Sequence, residues 1–197
     1  MLTPAQARQA AGVFVVVSLS VAILAFDLAG GLRHGAGRPA SITLLLTGGW
    51  SLAAVLLTWL ACTRAHVTNE RRLVVAAALA PMALYLWMTA FHGTYTEPFE
   101  ASGFRCLGLT VVLAIVPLFG FMLLRRGPSP RSPEALGAIG GAMCGAWAAV
   151  VVELWCPLTS APHALVGHVA PLALLVAAGA LVGGRVLGGS AVSSIRS

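Results

Sequence analysis

Two cysteines, an acidic residue and two histidines are the side chains of this sequence best suited to chemistry. Cys106 and Cys156 stand fifty positions apart, and Glu153 precedes the second cysteine by about one helical turn. His163 and His168 follow Cys156 closely. A pair of thiols can form a disulfide, react with an oxidant or bind a soft metal ion. The alternative is that both cysteines are small apolar side chains that fill space.

Cys156, His163 and His168 have the spacing C-x6-H-x4-H. Thiolate and imidazole are ligands for zinc or cadmium, so these three residues are a candidate metal set. The spacing matches no zinc pattern that we can justify, and interfacial histidines are common, so an ordinary structural role stays open. For Glu153 the alternatives are a functional carboxylate beside the thiol, an ion pair with Arg105, and a side chain that reaches for the membrane interface.

Two apolar stretches, 107–124 and 135–155, must position the cysteines. The segment between them, RRGPSPRSPE, contains prolines and a doubled arginine and therefore belongs in water. Each stretch is long enough to cross a bilayer at about 1.5 Å of rise per residue. One helix ends at this hinge and the other starts from it, so their far ends lie at the same membrane face. This topology predicts that Cys106 and Cys156 are level with each other.

The composition is that of a membrane protein. The chain has 197 residues, of which 58% are hydrophobic and 9% charged, whereas a soluble domain has about 25% charged residues. We predict an all-α, polytopic membrane protein with one domain, 1–197, and six transmembrane helices at about 12–30, 41–62, 73–91, 106–124, 135–155 and 165–184. Metalloprotease, nucleophile-elbow, P-loop and dinucleotide motifs are absent from the sequence, which predicts no enzyme activity and no cofactor.

The arginines predict the orientation of these spans. Nine fall on one side of the predicted membrane and three on the other, and the richer side is normally cytoplasmic. Both termini are then cytoplasmic, and Cys106 and Cys156 face the periplasm or exterior, where disulfides persist. Basic loops of this kind suit anionic lipid and require no nucleic acid. Cys62 and Cys144 have no thiol at the same depth and are predicted to serve packing.

Small residues recur every four positions on the fifth predicted span. Gly137, Gly141, Gly145 and Ala149 form this stripe. Such a stripe lets a second helix approach closely, so it predicts a helix contact and carries no information on function.

The second half of the chain contains two runs that form a recognisable pattern over residues 104–158, FRCLGLTVVLAIVPLFGFMLLRRG and GAIGGAMCGAWAAVVVELWCP. In these runs the chain resembles the NrsF-type family of bacterial membrane anti-sigma factors. The shared pattern is a cysteine that opens one span, a proline within it, a basic pair with glycine at its end, and a Cys-Pro that ends the next span. The matching residues are Cys106, Pro117, Arg125, Arg126, Gly127, Cys156 and Pro157.

The resemblance implies a multi-pass protein of the bacterial inner membrane that holds an extracytoplasmic-function sigma factor inactive. It also implies that Cys106 and Cys156 sense a periplasmic redox or metal stress, after which the sigma factor is released. We predict that Arg125, Arg126 and Arg131 contact the sigma factor, because their hinge joins the two cysteine-bearing helices. The alternative is a thiol-active or metal-handling membrane protein that has no transcriptional partner.

Overall fold

The computed structural model describes residues 38–62, 102–125 and 132–188, together with isolated residues between 20 and 28 and between 79 and 90. Every regular element in these ranges is helical. Helix α1 is Ala40–Cys62, α2 is Phe104–Leu124 and α3 is Pro133–Trp155. A short helix α4 (Ala161–Ala164), a π-helical turn (Leu165–Val169) and α5 (Ala170–Gly188) then follow one another without a break.

Four helical segments of the described residues are long and apolar enough to cross a membrane. They are Ala40–Thr58, Phe104–Leu124, Pro133–Trp155 and Ala161–Leu187, the last of which we call the last span. The all-α prediction is therefore confirmed for the described ranges. The predicted spans 12–30 and 73–91 lie largely outside the described residues, although the isolated residues there that belong to regular structure are helical. Six spans and cytoplasmic termini stay predictions.

The last span begins earlier than predicted, at Ala161 instead of 165. Its second residue is Pro162, and a proline in the first helical turn lacks only an N–H that would have no helical partner there. The same effect lets α3 begin at Pro133, two residues before the predicted start. As a consequence His163 lies on a helix, although it precedes the predicted span 165–184.

The glycine stripe of α3 packs against the last span, which confirms the predicted helix contact and identifies the partner that the sequence did not name. A Cβ atom on Gly137 would lie 2.0 Å from the carbonyl oxygen of Gly179, and one on Gly141 would lie 2.0 Å from that of Leu175. On the facing helix, a Cβ atom on Gly183 would lie 2.8 Å from the Cα atom of Gly137. No methyl group fits at these positions, so the two backbones are in direct contact. We call Gly137, Gly141, Gly179 and Gly183 the glycine seam.

The contacts at the helix ends fix how the helices run relative to one another. Arg38, just before α1, bonds the carbonyl of Cys156 at the end of α3. Arg125, just after α2, donates to the carbonyl of Ala61 near the end of α1 and lies 5.9 Å from the Phe121 ring centroid. Hence α1 and α2 run parallel to each other and antiparallel to α3. The two cysteines, Arg38 and the start of the last span all lie at one end of the bundle.

Candidate functional site

The two cysteines of the sequence prediction meet at that end of the bundle. Cys106 is 2% exposed and Cys156 is 3% exposed, and both are free thiols. Their sulfur atoms and one ring nitrogen each of His163 and His168 all lie within 4.8 Å of one another. The expectation that topology brings Cys106 and Cys156 together is confirmed. We call these four buried residues the Cys–His cluster.

His163 lies between the two thiols. Its Nε2 atom is 3.5 Å from Sγ of Cys106 and 3.1 Å from Sγ of Cys156. A hydrogen bond with Cys106, together with burial, raises the pKa of Cys156 to about 11. In the metal-free protein Cys156 is therefore a neutral thiol at pH 7, and its proton must leave when it binds a metal ion or is oxidised.

Glu153 joins His168 to an arginine that the sequence analysis did not consider as its partner. Its Oε1 atom lies 2.9 Å from Nδ1 of His168, close enough for a hydrogen bond although the angle is poor. Its Oε2 atom accepts a hydrogen bond of 2.9 Å from Nη2 of Arg38. Glu153 is 1% exposed, so this is a buried ion pair.

The suggested pairing of Glu153 with Arg105 is wrong. Arg105 is exposed on α2, whereas Arg38 is buried where the start of α1 packs beside the end of α3. Arg38 also donates from Nη1 to the carbonyl of Cys156 at 2.8 Å, so one guanidinium binds both Glu153 of α3 and the residue that follows this helix. The signal that could have found it is an arginine immediately before a span, at the same membrane face as the acidic residue.

Two glycines allow the backbone at the start of α2 to approach the last span closely, and this brings Cys106 near that span. Gly103 has a φ of 77°, a left-handed conformation that favours glycine, and a Cβ atom there would lie 2.8 Å from the backbone nitrogen of Gly167. A Cβ atom on Gly167 would lie 3.0 Å from Cβ of Cys106. The start of α2 and the last span therefore touch beside the cluster.

The π-helical turn aligns the two histidines. Residues five apart on an α-helix point about 140° away from each other. Here the N–H of Ala170 bonds the carbonyl of Leu165, an i to i+5 bond, and the wider turn reduces that angle. As a result the rings of His163 and His168 have their centroids 5.4 Å apart. Single π turns are frequent at functional sites, and no residue pattern in the sequence predicts this one.

The remaining predicted site residues lie elsewhere. Cys144 is buried within α3, consistent with packing. Arg125 ties the end of α2 to α1, so its side chain already has a structural contact. Arg126 and Arg131 lie outside the described residues, as does the side chain of Cys62.

A comparison with family models supports the resemblance seen in the sequence. The model described as NrsF, negative regulator of sigma F, matches residues 2–188, which is nearly the whole chain. No curated protein and no solved structure matches the chain. The match extends well beyond residues 104–158, the part of the chain whose motifs carry the resemblance. The chain belongs to the NrsF family of negative regulators of sigma F.

Proposed function

We propose that the protein is a membrane anti-sigma factor that binds an extracytoplasmic-function sigma factor at the cytoplasmic face. It releases the sigma factor when a redox or metal stress on the other face reaches Cys106 and Cys156. Membership in a family of negative regulators implies a sigma factor partner. The observation that carries the sensing role is the meeting of these two thiols in a buried cluster at one end of the bundle.

The sidedness of the proposal has two supports. The arginine bias predicts that the end with Arg125 is cytoplasmic and that the Cys–His cluster is periplasmic. The helix contacts independently put Arg125 and the two cysteines at opposite ends of α2. The cysteines can therefore meet an external signal while the opposite end faces the sigma factor.

Either form of the signal has a defined chemical result. A hydroperoxide would accept two electrons from the two thiols and be reduced to water and an alcohol, while Cys106 and Cys156 form an S–S bond and lose two protons. A soft metal ion would instead bind both sulfurs as thiolates and displace the same two protons. Each change alters the contact between the start of α2 and the end of α3.

The test of the partner is a promoter reporter in a heterologous bacterium. The chain is co-expressed with each extracytoplasmic-function sigma factor of its own genome, and reporter activity and retention of the sigma factor in detergent-solubilised membranes are measured. One of these sigma factors should be retained and silenced. If none is retained, the alternative of a thiol-active or metal-handling protein without a transcriptional partner takes its place.

The same reporter tests the thiols. Cys106→Ser and Cys156→Ser should each lose the response to oxidant or metal, and the double variant should behave like either single one, because the pair acts as a unit. Cys144→Ser is the matched control, a buried cysteine of α3 outside the cluster, and should respond like the parent. An equal loss in all three single variants would indicate general destabilisation and contradict the sensing role.

The hinge is the proposed dock for the sigma factor. Replacement of Arg125, Arg126 and Arg131 by glutamine should release the sigma factor without any signal while the protein still inserts into the membrane. Because Arg125 also contacts Ala61, Arg126→Gln/Arg131→Gln is the better-controlled variant. Full repression by the triple variant, with loss of repression on deletion of residues 2–8, would move the dock to the N-terminal segment.

A further inference from the structure

We infer that Cys106, Cys156, His163 and His168 together form a closed, four-coordinate site for one resident zinc ion. The inference deepens the proposed function and rests on it for the use of this site in sensing. It adds Cys106 to the three residues that the sequence spacing suggested, and it makes Glu153 and Arg38 supporting residues. The zinc binding itself can be measured with no sigma factor present.

The distances within the Cys–His cluster fit a tetrahedral zinc site. With Zn–S near 2.3 Å and Zn–N near 2.0–2.1 Å, the ligand atoms of a tetrahedron are about 3.3–3.8 Å apart. Nε2 of His163 is already 3.5 Å and 3.1 Å from the two sulfurs. The largest separation among the four ligand atoms is no more than 4.8 Å, so side-chain shifts of about 1 Å close the site around an ion.

The donor set selects the class of metal. Two sulfurs and two imidazole nitrogens are the ligands of structural zinc sites, whereas magnesium and calcium require oxygen ligands. The carboxylate nearest the cluster, that of Glu153, is already bound by Arg38 and in contact with His168. Four protein ligands leave no open position, so the site is structural in type and has no place for a catalytic water.

His168 is oriented as a metal ligand would be. Its Nδ1 atom faces Oε1 of Glu153 at 2.9 Å, which leaves Nε2 directed to the other side of the ring. Metal-bound histidines usually donate their second N–H to a carboxylate in this way. His168 is 1% exposed, and neither of its ring nitrogens has a hydrogen-bond partner of good geometry among the described residues. A zinc ion bound at Nε2 would satisfy that nitrogen and leave Nδ1 beside the carboxylate.

The charges of the loaded site balance. Zinc carries two positive charges, two thiolates carry two negative charges, and the Glu153 carboxylate is paired with the Arg38 guanidinium. The sum is zero, which matters because all six side chains are buried. An uncompensated charge in such surroundings would be strongly destabilising. The arginine thus stabilises the acidic residue that in turn orients the histidine.

The backbone around the cluster brings the four ligands from three helical segments. Cys106 comes from the first turn of α2, Cys156 from the residue after α3, and both histidines from the last span. The Gly103–Gly167 contact brings Cys106 near the π turn, and the π turn rotates His168 toward the same side as His163.

The first test is the metal content of the full-length chain, purified in detergent from cells grown with added zinc and then desalted. Mass spectrometry of the metals should find one zinc per chain. Cys106→Ser/Cys156→Ser and His163→Gln/His168→Gln should each lower this at least tenfold, whereas Cys144→Ser should match the parent. Parent protein without zinc, or a double variant with the parent's zinc content, would overturn the inference.

Cobalt provides a second test that does not depend on how well the variants fold. Parent protein stripped of metal and titrated with Co²⁺ alone should show intense visible bands of a tetrahedral site and an ultraviolet sulfur-to-cobalt charge-transfer band, complete at one equivalent. Weak bands typical of octahedral cobalt would overturn the inference. Glu153→Gln should retain the spectrum but weaken binding about 10–100-fold.

The outcomes separate the zinc site from the proposed function. If the chain binds zinc but retains no sigma factor, the zinc site is supported and the regulatory role is contradicted. If the chain retains a sigma factor and binds neither zinc nor cobalt, the regulatory role is supported and the zinc site is contradicted. In the second case the histidines would serve only to hydrogen-bond the two thiols.

Discussion

The contact between α3 and the last span has two very different halves. Along the glycine seam the backbones touch, and a Cβ atom at Gly137 or Gly141 would overlap a carbonyl oxygen of the facing helix. At the other end of the same helix pair, Cys156 meets His163 and His168 through side chains that can bind protons, metals or each other. The glycine seam allows only one geometry, whereas the Cys–His cluster can exist in several chemical states. The same helix pair therefore contains one fixed contact, the seam, and one contact that chemistry can change, the cluster.

The largest loss of stability should come from removing the Arg38–Glu153 ion pair, which lies beside the Cys–His cluster. Glu153→Leu leaves Arg38 buried without its carboxylate, and removal of one partner from a buried pair typically costs about 3–5 kcal/mol. Unfolding in mixed detergent–SDS micelles measures this loss. The double variant Arg38→Met/Glu153→Leu removes both charges and should be more stable than Glu153→Leu alone. A double variant that loses the sum of two large single effects would show that the pair is not coupled.

A smaller but substantial loss of stability should follow from adding a methyl group within the glycine seam. Gly141→Ala places a methyl group against the carbonyl of Leu175 and should cost about 1–3 kcal/mol, the usual range for overpacking. The matched control is Gly48→Ala in α1, where nothing lies within 4 Å of the new methyl group. That control should be neutral or stabilising by up to about 1 kcal/mol, because alanine favours helix. Equal stability of both variants would contradict the close approach.

The smallest effect is expected at the opposite end of the bundle from the cluster. Arg125→Gln removes a part-buried hydrogen bond to the Ala61 carbonyl, and such a bond contributes about 1 kcal/mol net. The change should leave the zinc content of the chain unaltered, because Arg125 and Cys106 lie at opposite ends of α2. A fall in zinc content with Arg125→Gln would show that the two ends of the bundle are linked more tightly than the helix contacts suggest.

The sequence was sufficient for the parts of the fold that depend on hydropathy and topology. Apolar runs placed α1, α2 and α3 within two residues of their observed starts, and the hinge between two spans put Cys106 and Cys156 at one face. The four-residue glycine period also identified the helix contact correctly.

The sequence was not sufficient where packing decides between similar residues. The three arginines on the less basic side of the predicted membrane, which is the side of the cysteines, are Arg33, Arg38 and Arg105. Only the packing of α1 beside α3 selects Arg38 among them for Glu153. The approach of His168 to His163 depends on the π turn, which has no sequence signature. A spacing rule applied to Cys156, His163 and His168 alone could not include a residue fifty positions earlier.

Arginine contacts at both ends of α1 couple this helix mechanically to its two neighbours. Arg38 fastens its start to the last turn of α3, and Arg125 fastens its end to the last turn of α2. The 23 residues between them form a helix of about 35 Å that resists stretching far more than bending. An axial displacement of Arg38 when the cluster changes its chemical state would therefore be transmitted along α1 to Ala61 and Arg125, at the opposite end of the bundle.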